Sequence, residues 1–316
     1  MQPINAPVIL AITVACVAAI AVWVWLRLGR SQALVMIALS TAALACWWIA
    51  YEVLPVELWR EGNLPRTLAV YAVPAAAALV ITLLRARRRH QRLSPQAWGW
   101  LAALWLGPSL LIYISQLRPF TTDVDPDFGN SMWWAGTSIA IYVTIPIVYA
   151  VAARQRIRDY GLSVGFLRTE AKYLLLIVPV VALLVFLFSA EERFQQIYPF
   201  YDWEFGGDSA WLKLLIFEVA YGLSFVALEF FFRGFLVFAG YSVVGAHSVP
   251  MMAFTYCMLH LGKPMPECAS SLIGGLLLGY VALRFRSIFV GVAAHLTMAW
   301  GMDSAVLWRA GGPSLP

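Results

Sequence analysis

Charge is what this chain has least of. Only 12% of its 316 residues are Asp, Glu, Lys or Arg, about half the ~25% of a soluble globular domain. Hydrophobic residues make up 61%, and the mean hydropathy is +0.75. That balance excludes a soluble fold. Cysteine is scarce as well: Cys16, Cys46, Cys257 and Cys268 are the four. All lie in or beside apolar segments, with no Cys-x-x-Cys and no paired spacing, so neither a disulfide framework nor a thiolate metal site is indicated. They read as small buried hydrophobes. No basic stretch precedes the first apolar run, and that run is too long for the core of a cleaved signal peptide. It reads as a first membrane helix. A His-Glu-x-x-His helix is also missing, so a zincin-type centre is not supported.

What is present is a series of apolar runs. A span needs about 20 apolar residues, and the sequence predicts an all-α, polytopic transmembrane bundle of about ten spans. They fall near 7–27, 33–54, 67–85, 97–116, 132–152, 172–189, 212–238, 249–263, 269–284 and 288–307. Basic residues collect in alternate loops: Arg27 and Arg30; Arg85, Arg87, Arg88, Arg89 and Arg92; Arg154, Arg156, Arg158, Arg168 and Lys172; Arg284 and Arg286. The other loops are richer in acid, with Glu52, Glu57, Glu61, Asp123, Asp125, Asp127, Glu191, Glu192, Asp202, Glu204 and Asp208. The positive-inside rule then puts the basic loops in the cytoplasm, both termini outside, and the chain in a plasma (inner) membrane. The formal net charge of +5 is thereby a matter of membrane orientation, and nucleic acid is not an expected partner. Membrane lipid is.

The composition shifts near Arg154 to Gly165. Earlier segments hold small and aliphatic residues with scattered Trp, and read as membrane scaffold (residues 1–165). Residues 166–316 read as the working core, because ionisable groups enter the spans only there: Glu218, Glu229, Arg233, His260 and His295. Such residues are costly in a bilayer and mark functional sites by default. Counting 1.5 Å per residue from the cytoplasmic span ends places Glu229, His260 and His295 in one layer, ~10–17 Å deep. Arg233 stands one helical turn from Glu229 and supplies the opposite charge. Tyr256 shares a helix face with His260 and is expected to orient its imidazole. Gly274, Gly275 and Gly279 give one helix a flat packing face. A carboxylate and two imidazoles in a dry cavity can activate water. The same three residues could equally hold a divalent metal such as zinc, with water as a fourth ligand. A simpler reading makes Glu229–Arg233 a structural pair and each His a helix–helix hydrogen bond.

The stretch Glu229-Phe230-Phe231-Phe232-Arg233-Gly234-Phe235-Leu236 resembles the first motif of the CAAX-processing and bacteriocin-processing intramembrane proteases (CPBP, abortive-infection type). In that family the pattern is Glu-Glu-x-x-x-Arg, then Phe-x-x-x-His, then His-x-x-x-Asn or Asp. Tyr256 to His260 is similar to the second motif, with Tyr for Phe, and His295 to Ala299 to the third. The resemblance covers roughly residues 212–303. It implies an endopeptidase acting on a prenylated or membrane-associated peptide or protein, in which the first Glu and first His activate water and the other polar groups position substrate. This sequence departs from the pattern twice. Leu228 stands at the first Glu, and Ala299 at the Asn or Asp. Glu229, the adjacent residue, could take the first role, although neighbours on a helix differ by ~100° in direction. Asp303 or Glu267 could supply a lost carboxylate, although both lie nearer the outer surface, where a carboxylate is more often simply solvated.

Three functions are compatible with these residues. One is a membrane-embedded endopeptidase with Glu229, His260 and His295 as its catalytic set. The second is a catalytically silent protein that binds a peptide or partner in the same cavity, motivated by Leu228 and Ala299. The third is a proton-coupled transporter, since intramembrane Glu and His also mark ion paths. Against the third, no inverted repeat is visible.

Overall fold

A computed structural model of the chain describes residues 6–50, 63–121, 125–163, 167–190, 192–201, 210–261, 263 and 265–309. Among these the regular structure is helical, and the only sheet-like feature is an isolated antiparallel bridge between Leu162 and Ser287. The helices are α1 (Ala6–Leu28), α2 (Arg30–Trp48), α3 (Leu64–Arg88), α4 (Pro95–Ser115), α5 (Pro126–Ala153), α6 (Leu167–Phe188) and the single-turn α7 (Glu192–Gln195). Then come α8 (Ala210–Glu229), a π-helical stretch (Phe230–Leu236), α9 (Val237–Val244), α10 (Ser248–Met258), α11 (Met265–Phe285) and α12 (Phe289–Arg309). The boundary expected at 165/166 and the acidic loop residues Glu52, Glu57, Glu61, Asp123, Glu191, Asp202, Glu204 and Asp208 lie outside the described residues.

Among the described residues, eight helical stretches are long and apolar enough to cross a membrane. This is an integral multi-pass membrane protein by length and composition. The expected seventh and eighth spans are parts of one stretch, Ala210–Met258. Within it α10 has 11 residues, about 16 Å of rise, which is half a bilayer. Pro264 follows closely in the sequence and disfavours helix in the residue before it. The expected tenth span is a full helix, α12, but falls outside the eight. His295, Thr297, Asp303 and Ser304 dilute its hydropathy.

Local chemistry sets the breaks. Gly29, at φ 95°, joins α1 to α2 in a conformation that side-chain-bearing residues avoid. The Ser94 hydroxyl accepts the Ala97 N–H at 3.2 Å to cap α4, with Pro95 in the first turn. The Asp125 carboxylate likewise accepts the Phe128 N–H at 2.9 Å and caps α5. Prolines inside α3, α4, α5 and α6 (Pro74, Pro108, Pro146, Pro179) are of the kind membrane helices tolerate because neighbours re-satisfy the freed carbonyls.

One hydrophobic core runs through both halves of the chain. Phe231, Phe232 and Phe235 of the π stretch are fully buried, against Tyr142 and Tyr149 of α5. A π turn leaves carbonyls without their usual helical donors, and the Trp100 indole N–H of α4 donates to the Leu236 carbonyl at 3.0 Å. Gly240 lets the same indole approach the backbone, since a Cβ there would meet it at 2.6 Å. Gly275 and Gly279 of α11 pack against Ala253, Met252 and Val249 of α10, as a flat face requires; Gly274 faces open space.

The far end of the bundle is held by a polar tie. Asp125 Oδ2 accepts the Tyr201 hydroxyl at 2.9 Å and Lys213 Nζ at 2.8 Å. Burial works to raise this carboxyl's pKa, but the bonds from Lys213, the Phe128 N–H and Tyr201 outweigh it, and the net position is below the usual value. A carboxyl more acidic when folded than when unfolded contributes stability above the unfolded pKa of about 3.9, and that stability is lost as pH falls through the lower folded value. Asp125→Ala should therefore lower the thermal midpoint at pH 7, through a stability loss of about 1–3 kcal/mol. A pH series from 7 to 3 should show the gap between parent and variant closing as the carboxyl protonates.

Candidate active site

The site forms where α8, α10 and α12 meet. Glu229 is the last residue of α8, and the π stretch begins at its C-terminal side. Its Oε1 lies 3.0 Å from Arg233 Nη1 and 2.6 Å from His295 Nδ1. His295 Nε2 lies 2.9 Å from the Tyr256 hydroxyl. A carboxylate at Nδ1 places the ring proton there and leaves Nε2 to accept from the phenol. The result is a chain, Tyr256 hydroxyl to imidazole to carboxylate. The Arg233 guanidinium stacks over the Tyr256 ring at 4.1 Å, and Phe225 stacks on the imidazole at 5.5 Å between centroids.

The cluster is sealed. Glu229 is 0% exposed, Arg233 1%, His295 4% and Tyr256 4%. Its charges sit together without ideal alignment: Glu229 Oε1, Arg233 Nη1 and His295 Nδ1 meet at ion-pair range but not at hydrogen-bond angles. Glu229 Oε2 has no hydrogen-bond partner among the described residues. It instead presses on Gly291 of α12, where an added Cβ would collide with it. Only glycine allows α12 to approach the carboxylate this closely. Further along the seam, Gly222 of α8 receives the Trp300 ring, and the Trp300 indole donates to the Glu218 carbonyl at 3.0 Å. Two glycines, one on each helix, set the α8–α12 spacing.

The residues singled out in the sequence divide in two. Glu229, Arg233, His295 and Tyr256 are brought into contact. His260 is beside them without joining the chain: its Nδ1 is held by the Tyr256 carbonyl at 3.2 Å, and the ring is half-buried. The Tyr256 hydroxyl, expected on His260, goes to His295. The i,i+4 spacing brings the ring of Tyr256 beside His260, at 5.0 Å between centroids, but aims the phenol oxygen across to α12. Asp303 does not replace a lost carboxylate. It lies two turns from His295, where it accepts the Phe200 N–H at 3.3 Å and sits against the Glu218 carboxyl. Glu267 is paired with Lys263 at 2.5 Å near the surface. Leu228 and Ala299, the two departures from the motif, pack as ordinary apolar residues.

Among the described residues no three His, Cys, Asp or Glu are grouped to hold a metal ion. Sequence reasoning missed three features: the π stretch, the Gly291 contact, and the pairing of Tyr256 with His295. Only a helix–helix register shows the last two.

No family model matches the chain, and neither a curated protein nor a solved structure matches it.

Glu229→Ala strands a buried guanidinium and should cost about 3–5 kcal/mol, whereas Glu229→Met with Arg233→Met should recover most of it; thermal unfolding in detergent measures both. Gly291→Ala should cost about 1–3 kcal/mol by displacing the carboxylate. Gly274→Ala, with nothing within 4 Å of the new methyl, should not lower the midpoint and should raise it slightly.

Proposed function

We propose that the protein is a membrane-embedded endopeptidase in which Glu229 and His295 form the proton-handling pair. The observation that carries the reading is the Glu229–His295–Tyr256 chain, with contacts of 2.6 and 2.9 Å. A carboxylate behind Nδ1 stabilises the charge an imidazole gains when Nε2 takes a proton. The Tyr256 hydroxyl marks where a proton-bearing oxygen sits against Nε2; a water that takes that place loses its proton to Nε2 and attacks the peptide carbonyl, and the imidazolium returns the proton to the leaving amine. Arg233 balances the carboxylate. His260, whose Nδ1–H is held by the Tyr256 carbonyl, presents Nε2 as an acceptor and can orient the attacking water. The resemblance of 229–236, 256–260 and 295–299 to the CAAX-processing protease motifs agrees with peptide-bond hydrolysis and suggests a prenylated or membrane-associated peptide or protein as substrate. The same reading carries about ten membrane crossings, basic loops in the cytoplasm of a plasma (inner) membrane, and both termini outside.

A second reading is favoured by the burial of Glu229 and by Leu228 and Ala299. In it the protein is catalytically silent and binds a peptide or partner at the same place. Purified protein in detergent, given a panel of prenylated and unprenylated peptides, separates the two. The endopeptidase reading expects cleavage, reduced at least about 100-fold in Glu229→Gln and in His295→Ala. Tyr256→Phe should lower it less. Cleavage that persists in both of the first two variants removes the assignment. Proteolysis by the parent removes the silent reading.

A further inference from the structure

Away from the buried cluster, the turn between α3 and α4 forms an open groove of about 460 Å³, lined by Leu83, Ala86, Arg87, Gln91, Arg92, Leu93 and Trp98. Its rim is cationic and polar, and its floor apolar. Leu83, Gln91, Arg92 and Trp98 are exposed, and Arg87 stands at the rim.

The charge here is unopposed. No Asp or Glu occurs in the sequence between Glu61 and Asp123, while Arg85, Arg87, Arg88, Arg89 and Arg92 fall within eight residues. Arg85 is drawn inward, donating to the Val244 carbonyl at 2.9 Å. Arg87 and Arg92 flank the groove, and neither has an ion-pair partner among the described residues. Asp159, on the segment after α5, is engaged with Arg156. The positive end of α4 begins at Pro95 and adds to the same potential. On the other side, the groove runs onto membrane-facing apolar surface: Val80 is 54% exposed, Leu83 46%, Leu84 52% and Trp98 53%. Trp is characteristic of the headgroup level of a bilayer.

We infer that this groove binds an anionic glycerophospholipid. Arg87 and Arg92 would hold the phosphate, with Gln91 as an additional donor, and the acyl chains would lie along Leu83 and Val80 beside Trp98. Guanidinium forks suit phosphate oxygens better than ammonium groups do. Basic pockets between helices at a membrane surface are where such headgroups dock. A free phosphate would use the same two arginines but leave the apolar floor bare; an acidic peptide would not require it either.

Native mass spectrometry of the full chain released from neutral detergent tests the assignment. Phosphatidylglycerol should be retained and phosphatidylcholine of the same chain length should not. Arg87→Gln with Arg92→Gln should weaken phosphatidylglycerol about 30-fold, at roughly tenfold or less per surface arginine removed. The charge-matched Arg88→Gln with Arg89→Gln, whose side chains do not line the groove, should retain it. If the first double variant does not fold, Arg92→Gln alone gives the same comparison. Equal retention of the two lipids, or equal loss in both double variants, overturns the inference. So does displacement of the lipid by millimolar inorganic phosphate or by an acidic peptide without acyl chains, which assigns the arginines to a soluble anion.

Discussion

A carboxylate, a guanidinium and an imidazole share a space from which water is excluded, and much of the surrounding structure accommodates that fact. Burying an ion costs several kcal/mol even when it is paired. The Glu229–Arg233 contact offsets that cost only while α12 stays close enough to add His295 and exclude lipid. Gly291 permits the approach, Gly222 admits Trp300 further along the seam, and Phe225 covers the imidazole. The π stretch that follows Glu229 belongs to the same arrangement. It exposes a carbonyl that Trp100 answers from α4, so a helix in the first half of the chain supports the backbone beside the buried charges.

Along the α8–α12 seam the polar residues are layered. The deeper layer holds Glu229, His295 and Tyr256; the next holds Glu218, Asp303 and the Phe200 amide. Aromatic rings of Tyr221 and Phe225 lie between them. This layering is why Asp303 cannot stand in for a carboxylate lost from the deeper layer: eight residues along a helix is about 12 Å. The Asp125–Lys213–Tyr201 tie joins α5 to α8 toward the same end of the bundle.

Much of the site is legible in the order of the residues. Glu229, Arg233 and His295 announce themselves because ionisable residues are rare in apolar runs, and helical rise puts them at one depth. The i,i+4 spacing yields the Glu229–Arg233 pair directly. His260 is expected to converge with them, but depth says nothing of the direction a side chain takes around its helix, and the structure sets it beside the cluster without joining it. The spans show the same division. Most of the apolar runs form long helices, yet α10 has only 11 residues, and α12 is too polar to be recognised by hydropathy because it carries His295 and Asp303.

The sequence by itself determined that the chain is a helical membrane protein, that its ionisable residues are concentrated in the second half, and which of them lie at similar depth. These follow from composition and from a fixed rise per residue, both properties of the chain in one dimension. Tertiary structure alone decided that His295, not His260, meets the carboxylate, that Tyr256 reaches across to it, and that glycine is required at position 291. Those depend on the rotation and spacing of one helix against another. Rotation and spacing arise from packing among Phe231, Phe232, Phe235, Trp100 and Trp300, contacts between residues far apart in the chain.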